Sequence, residues 1–141
     1  MNPKTAQEAI RLFSTVAQGN YSKAVSVVLC PPFPYLYLVA NAARGSVALG
    51  SQDLFWESSG PYTGEVSPAI LKDASVSYVI IGHSERREWL HEDDLMVAKK
   101  VHEGLRRGFK VVLCVGEPLS VRLRGVVAAK SFVARQLKEN I

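Results

Sequence analysis

Two hydrophobic periods alternate along this chain. Short, mainly apolar runs occupy Ala24-Val25-Ser26-Val27-Val28-Leu29, Val47-Ala48-Leu49-Gly50, Tyr78 to Gly82 and Lys110-Val111-Val112-Leu113-Cys114-Val115. Runs of that length, rich in β-branched residues and lacking strict alternation, read as strands buried on both faces. Between them apolar residues recur at helical spacing: Ala6, Ala9, Ile10, Phe13 and Ala17; Leu36, Val39, Ala40 and Ala43; Val97, Val101 and Leu105; Val126, Ala129, Phe132, Val133 and Leu137. Punctuation agrees with this division. Asn2 and Pro3 suit an N-cap and first helical position, Gly19-Asn20 an end, Pro34 a start and Gly45 a stop. Ser67-Pro68 opens a short helix that Asp73-Ala74 leaves, and a longer helix from about Asp93 to Arg107 is closed by Gly108. The order is one helix and then four strands each followed by a helix, the arrangement of parallel βα repeats. Periodicity alone does not choose between an open doubly wound sheet and part of a (β/α)₈ barrel, which needs about 250 residues.

One stretch concentrates polar chemistry at a strand end. Val79-Ile80-Ile81 runs into Gly82 and then His83-Ser84-Glu85-Arg86-Arg87. A switch from buried strand to polar loop at a carboxyl end is where parallel α/β folds place reactive groups. Gly82-His83-Ser84-Glu85-Arg86 is not a nucleophile elbow, because that turn needs glycine where Arg86 stands. Glu85, Arg86 and Arg87, taken by themselves, read as a solvated ion-pair cluster of little energetic weight. The connection from Ser51 to Gly64 exceeds the two to six residues usual in βα units, which points to a functional or interfacial loop.

Composition narrows the classes. The 141 residues are 48% hydrophobic, enough for one domain, residues 1–141, with its own core. Net charge is +4 and the pI about 9.2. The basic pairs Arg86-Arg87, Lys99-Lys100 and Arg106-Arg107 are interleaved with Glu85, Glu92, Asp93, Asp94 and Glu103, so no stripe for nucleic acid forms, and small anions suit the charge better. No apolar run approaches the roughly 18 residues of a membrane span, and the polar Met1-Asn2-Pro3-Lys4 start carries no leader pattern. A cytoplasmic setting is expected. Cys30 and Cys114 lie far apart at strand ends and read as buried thiols of a reducing compartment. His83, His91 and His102 lack metal-ligand spacing, and His91-Glu92-Asp93-Asp94 reads as a solvated turn with an acidic cap. Neither a metal nor a cofactor is expected.

Five segments carry a resemblance. Val27-Val28-Leu29-Cys30-Pro31-Pro32-Phe33-Pro34-Tyr35-Leu36, Gly50-Ser51-Gln52-Asp53, Gly60-Pro61-Tyr62-Thr63-Gly64-Glu65, Ile81-Gly82-His83-Ser84-Glu85-Arg86-Arg87 and Cys114-Val115-Gly116-Glu117 resemble, in order, the second strand and its loop, the third strand, the third loop, the fourth loop and the fifth strand end of triosephosphate isomerases. The resemblance implies an incomplete TIM (β/α)₈ barrel with about four parallel strands. Met1 and Asn2 match the last two residues of the segment closing the family's first strand. The family's active-site asparagine and lysine then fall upstream, and its sixth strand, catalytic glutamate, closing loop and phosphate-holding loops fall downstream. His91 stands where the family favours glycine, and Leu123-Arg124 replaces a Glu-Ala pair.

The resemblance also implies roles. His83 corresponds to the electrophilic histidine, and this family is itself the type example of that chemistry: a neutral imidazole at a helix N-terminus polarises the substrate carbonyl while a glutamate removes the carbon-bound proton. Ser84 would hydrogen-bond near that glutamate, Glu85 would flank the lysine, and Cys114 would support the site. Thr63, Gly64 and Glu65 would form the loop tip that enters a second subunit, with Arg86 helping to receive it. The implied activity is aldose–ketose isomerisation of dihydroxyacetone phosphate and D-glyceraldehyde 3-phosphate in glycolysis and gluconeogenesis, by a homodimer. A related isomerase acting on a slightly longer sugar phosphate is a weaker possibility. The 141-residue chain alone is expected to be inactive and, with open edge strands and an uncovered core face, to self-associate. A non-catalytic assembly module, or a pseudogene product, is the alternative.

Overall fold

A computed structural model describes residues 1–40 and 47–141. Four parallel strands, β1 (Val27–Leu29), β2 (Val47–Ser51), β3 (Tyr78–Ile81) and β4 (Lys110–Leu113), lie side by side in chain order. Val28 pairs with Ala48, Gly50 with Tyr78, and Ile80 with Val112. A sheet of consecutive parallel strands with helical connections is half of the expected barrel wall.

The two faces of the sheet differ. Val47, Leu49, Val79 and Ile81 point to the helices and are buried with Phe13, Leu36, Val39, Leu54, Leu71, Val97 and Val101 in one apolar cluster. The opposite, inner face carries Val28, Ala48, Tyr78 and Ile80, all half-buried, and Val112, which is 45% exposed. Gly50 belongs to this inner face, and an added Cβ there would come within 2.5 Å of the Cys30 sulfur. Among the described residues this inner surface, where a closed barrel keeps its central packing layers, is only partly covered.

Several helices start and stop as expected. Ser67 Oγ accepts the Ile70 N–H and Pro68 opens α3, after α1 (Ala6–Ala17) and α2 (Leu36–Ala40); α3 spans Pro68–Asp73. After α4 (Ser84–Trp89), Asp93 caps α5 (Asp94–Arg106) by accepting the Met96 N–H. A short α6 (Leu119–Arg122) and a long α7 (Val126–Asn140) complete the chain.

Other boundaries move. Thr5, not Asn2, caps α1: its hydroxyl accepts the Glu8 N–H while the Glu8 carboxylate takes the Lys4 N–H. The first residues are drawn away from the helix because Gln52 donates to the Met1 carbonyl at 2.7 Å. Ala24 and Val25 fold back on Ser22 in a turn, so β1 begins only at Val27. Pro34 lies within a 3₁₀ turn, Phe33–Tyr35, ahead of α2; the expected Ala43 and Gly45 lie outside the described residues. Cys114 and Val115 continue beyond the end of β4.

Two helical faces rotate from expectation. Leu105 is exposed, and Lys100 and Gly104 join Val97 and Val101 on the buried side of α5. Val126 and Leu137 are exposed, while Gln136 and Asn140 are the buried residues of α7. Among the described residues no helix is long and apolar enough to cross a membrane.

Candidate active site

The carboxyl ends of β1 to β3 open into a cleft of about 800 Å³ lined by Cys30, Gln52, Ile80, His83, Glu85 and Arg86. Met1 and Asn2 close one side of it. Gln52 reaches across, donating to the Met1 carbonyl at 2.7 Å and the Cys30 carbonyl at 2.9 Å.

His83 is held by its position one residue past a turn. Gly82 adopts φ +73°, a left-handed conformation that redirects the chain out of β3 and leaves His83 as the N-cap of α4. The His83 carbonyl accepts the Arg86 and Arg87 N–H groups, and Nδ1 accepts the Glu85 N–H at 3.4 Å. In the neutral ring, an acceptor Nδ1 leaves the proton on Nε2, so the free N–H is the ring's outward donor. The Glu85 carboxylate lies 3.6 Å from the same Nδ1, and the imidazole is 44% exposed. Protonation would convert Nδ1 into a donor toward that carboxylate at the expense of the backbone bond. Ser84 is exposed at the first position of α4.

The arginines that follow are not a solvated cluster. Arg86 donates to Glu92 Oε1 at 2.7 Å and lies 2.9 Å from Asp53 Oδ2. Lys100, 1% exposed, lies 2.6 Å from that same Asp53 oxygen and also donates to Glu92 Oε1. Glu92 is therefore buried rather than part of a solvated turn; the reversal is made possible by His91 at φ +55°, a conformation that favours glycine. Burial pushes the Asp53 carboxyl up to about 6 against the opposing pull of Lys100 and Arg86. Burial also raises Glu92, but its hydrogen bonds from Lys100 and Arg86 outweigh it and hold that carboxyl below the usual range.

Arg87 forms a second hub. Its Nε donates to the Gly82 carbonyl at 2.8 Å, Nη1 to Asp94 Oδ1 at 2.7 Å and Nη2 to Asn140 Oδ1 at 2.6 Å. Cys114 is half-buried, and its N–H donates to the Ile81 carbonyl at 2.8 Å. Burial pushes its thiol up, against the nearby Arg87 charge, and burial likewise raises Cys30. Neither has the depressed pKa of a reactive thiolate.

The long loop after β2 ends in an exposed turn, closed by the Glu65 N–H on the Tyr62 carbonyl with Gly64 at φ +94°. Thr63, Gly64 and Glu65 project from it into solvent, and no neighbour lies within 4 Å of where a Gly64 Cβ would stand. Phe55 packs against Trp56 and Tyr62 in tilted arrangements within this loop, with ring centroids 4.2 and 4.7 Å apart. Thus His83, Glu85 and Arg86 share the cleft, whereas Ser84, Cys114 and the Thr63–Glu65 turn are not among the residues lining it.

The sequence reading missed the buried Asp53–Lys100–Glu92 group and the Arg87–Asp94–Asn140 group. A signal for the first was present: Val97, Lys100, Val101 and Gly104 follow an i, i+3, i+4, i+7 stripe. A lysine on that stripe has to find buried partners.

Comparison with known proteins gives a consistent picture. The family model described as triosephosphate isomerase matches residues 1–141. A triosephosphate isomerase of Caldanaerobacter subterraneus subsp. tengcongensis is 46% identical over 123 residues, 86% of this chain and 50% of the relative. Those of Thermoanaerobacter pseudethanolicus and Moorella thermoacetica are 44% and 42% identical over 138 residues, covering 96% and 97% of this chain and 54% and 55% of theirs. The chain spans about half the length of the curated relatives it matches.

Proposed function

From the premise that the chain belongs to the triosephosphate isomerase family, we propose that residues 1–141 form the electrophile-bearing half of an active site interconverting dihydroxyacetone phosphate and D-glyceraldehyde 3-phosphate. The observation that carries this is the polarity of the His83 ring. With Nδ1 occupied by the Glu85 N–H, Nε2–H is the donor left for a carbonyl oxygen bound in the cleft. Isomerisation proceeds through an enediolate whose charge gathers on that oxygen, and a fixed donor lowers the barrier by stabilising that charge. A neutral ring suits the task because it can donate without leaving a permanent charge beside the substrate.

The described residues supply no matching base. Glu85 is the one carboxylate lining the cleft, and it faces Nδ1 rather than the space before Nε2. Loss of a general base costs about 10²- to 10⁴-fold in rate, so residues 1–141 expressed alone are expected to show no measurable turnover. Ser84 and Cys114 act as supports, Ser84 beside the incoming base and Cys114 through packing under Gly82. The exposed Thr63–Gly64–Glu65 turn is the arm by which two copies associate, with Arg86 on the receiving side. A cytoplasmic role in glycolysis and gluconeogenesis follows from the substrate pair.

The test is a chimera in which residues 1–141 replace the matching half of the Moorella thermoacetica enzyme. A coupled dehydrogenase assay should detect isomerase activity that falls about 10²- to 10⁴-fold in kcat with His83→Gln, with a smaller change in KM. A folded chimera whose activity is indifferent to His83→Gln would refute the assignment. A second reading, a non-catalytic assembly module, is favoured by the partly covered inner face of the sheet; it predicts a folded chimera without turnover.

A further inference from the structure

We propose that Arg87 is a positioning residue for the His83 imidazole, acting through the Gly82 carbonyl. This deepens the reading of His83 as a donor and rests on it, but the mechanism of positioning is a property of the turn itself.

The Gly82 carbonyl and the His83 nitrogen belong to one peptide plane, so whatever holds that oxygen fixes the direction in which His83 leaves the strand. Gly82 sits at φ +73°, where a glycine can swing its following peptide at little steric penalty. Nε of Arg87 arrests that swing with a 2.8 Å hydrogen bond. The guanidinium is in turn immobilised: Nη1 and Nη2 reach Asp94 and Asn140, and the Asn140 amide closes the ring by donating to Asp94 Oδ1 at 2.9 Å. Asn140 is fully buried and the Arg87 side chain is 17% exposed, so these are desolvated, charge-assisted bonds. The fit is close enough that a Cβ on Gly82 would stand 2.9 Å from Nη2.

The chain of consequence is short. Arg87 fixes the Gly82–His83 peptide, from which the His83 φ of −56° is measured, while the ψ of 140° is held by the His83 carbonyl accepting the Arg86 and Arg87 N–H groups. This conformation carries Nδ1 to the Glu85 N–H and thereby selects the tautomer with its proton on Nε2. A purely structural staple would affect stability and leave the tautomer unchanged.

Nitrogen-15 NMR of the histidine-labelled 141-residue chain reads this directly, with His83 assigned by its loss in His83→Gln and spectra taken well above the imidazole titration range. The wild type should show predominantly the Nε2–H form. Arg87→Met should lower the ratio of Nε2–H to Nδ1–H about two- to tenfold, the span that one ordinary hydrogen bond sets. Arg87→Lys keeps a cation against Asp94 with one shared donor group, so its ratio should fall between the two; it also serves if Arg87→Met fails to fold. A wild-type ratio in whichever of these variants folds overturns the proposal. Because no turnover is measured, this result is independent of the chimera's.

Discussion

Lys100 provides the sharpest energetic test of the architecture. The residue is 1% exposed and its ammonium sits between Asp53 and Glu92, with Arg86 as the only other cation on those carboxylates among the described residues. Replacing it by methionine keeps most of the stem's volume and removes the charge. Two buried carboxylates would then share one guanidinium, and Asp53 Oδ1 and Glu92 Oε2 already lack partners. Breaking a buried pair by deleting one member costs about 3–5 kcal/mol, a large share of the roughly 5–15 kcal/mol that stabilises a domain. The loss should depend on pH. Asp53 already titrates at about 6, and removing a contacting cation raises a carboxyl pKa further, by about 1–3. At pH 5 the variant's Asp53 is protonated and the repulsion relieved, so the penalty should shrink by at least about 1 kcal/mol relative to pH 7.5, each tenfold change in proton affinity being worth about 1.4 kcal/mol. Urea unfolding at the two pH values measures this, provided the slope of ΔG with denaturant is unchanged. The neighbouring Lys99→Met is the control: Lys99 lies outside the ionic group, 5.3 Å from the Trp56 ring centroid, and its loss should cost no more than about 1 kcal/mol. A Lys100→Met penalty below about 1 kcal/mol at pH 7.5, or one equal at both pH values, would show that the network does not depend on this charge.

Three further outcomes follow from named contacts. Gly82→Ala forces a side chain onto φ +73° with its Cβ 2.9 Å from Arg87 Nη2 and 3.3 Å from the Cys114 carbonyl, and thermal melts should show a loss of at least about 1–3 kcal/mol; a loss within a few tenths would contradict the tight fit. Asp53, chiefly through burial, titrates at about 6 against 3.8, so the folded chain holds this proton more tightly than the unfolded one. Its contribution to stability is present in full below the unfolded value and is lost as pH rises through about 4 to 6, by up to about 3 kcal/mol. Asp53→Asn should flatten that part of the urea-derived pH profile, and an unaltered profile would argue against the tighter hold. The lowered Glu92, Asp94 and Glu103 carboxyls work oppositely, losing their contribution as pH falls through and below their ordinary range. Finally, among the described residues β1 and β4 are paired on one side only, and Val112 on the inner face is 45% exposed; sedimentation of the 141-residue chain should show concentration-dependent association that Val112→Lys weakens, and a monomer at every concentration would exclude it.

Local chemistry is readable along the chain wherever it is self-contained. Ser67 with Pro68, and Asp93 ahead of α5, announce their helices because each cap bonds to a backbone group three residues away. The start of α1 is not readable in the same way. Asn2-Pro3 and Thr5-x-x-Glu8 are competing caps, and the choice is made by Gln52, 51 residues from Met1, which binds the Met1 carbonyl and keeps it at the sheet's end. The expected β1 is too long because Ala24 and Val25 have strand-like composition but are turned back by Ser22. The same run of strands also suits a doubly wound sheet; the family resemblance, not periodicity, selects the barrel wall.

At the site the division is chemical. His83 is legible as a polar residue at a strand end, and the motif gives it an expected role, but the groups around it look like ordinary surface charge. Arg86, Arg87, Glu92 and Asp94 lie within nine residues of one another, which in one dimension suggests mutual solvated pairing. They do pair, Arg86 with Glu92 and Arg87 with Asp94, but out of solvent and with further partners from far along the chain: Lys100 meets Asp53 across 47 positions, and Arg87 meets Asn140 across 53. Only the parallel crossover topology brings the loop after β2, the start of α5 and the end of α7 beneath the turn that follows β3. Buried charges of this kind are costly unless fully partnered, so they are poor devices for stability alone. Here they occur where direction matters, on two residues of the first turn after His83. Arg86 ties α4 to the ionic group under the cleft, and Arg87 ties the preceding peptide to α5 and α7. An apolar staple could hold the helix down, but it could not bind a carbonyl oxygen or distinguish one nitrogen of an imidazole from the other.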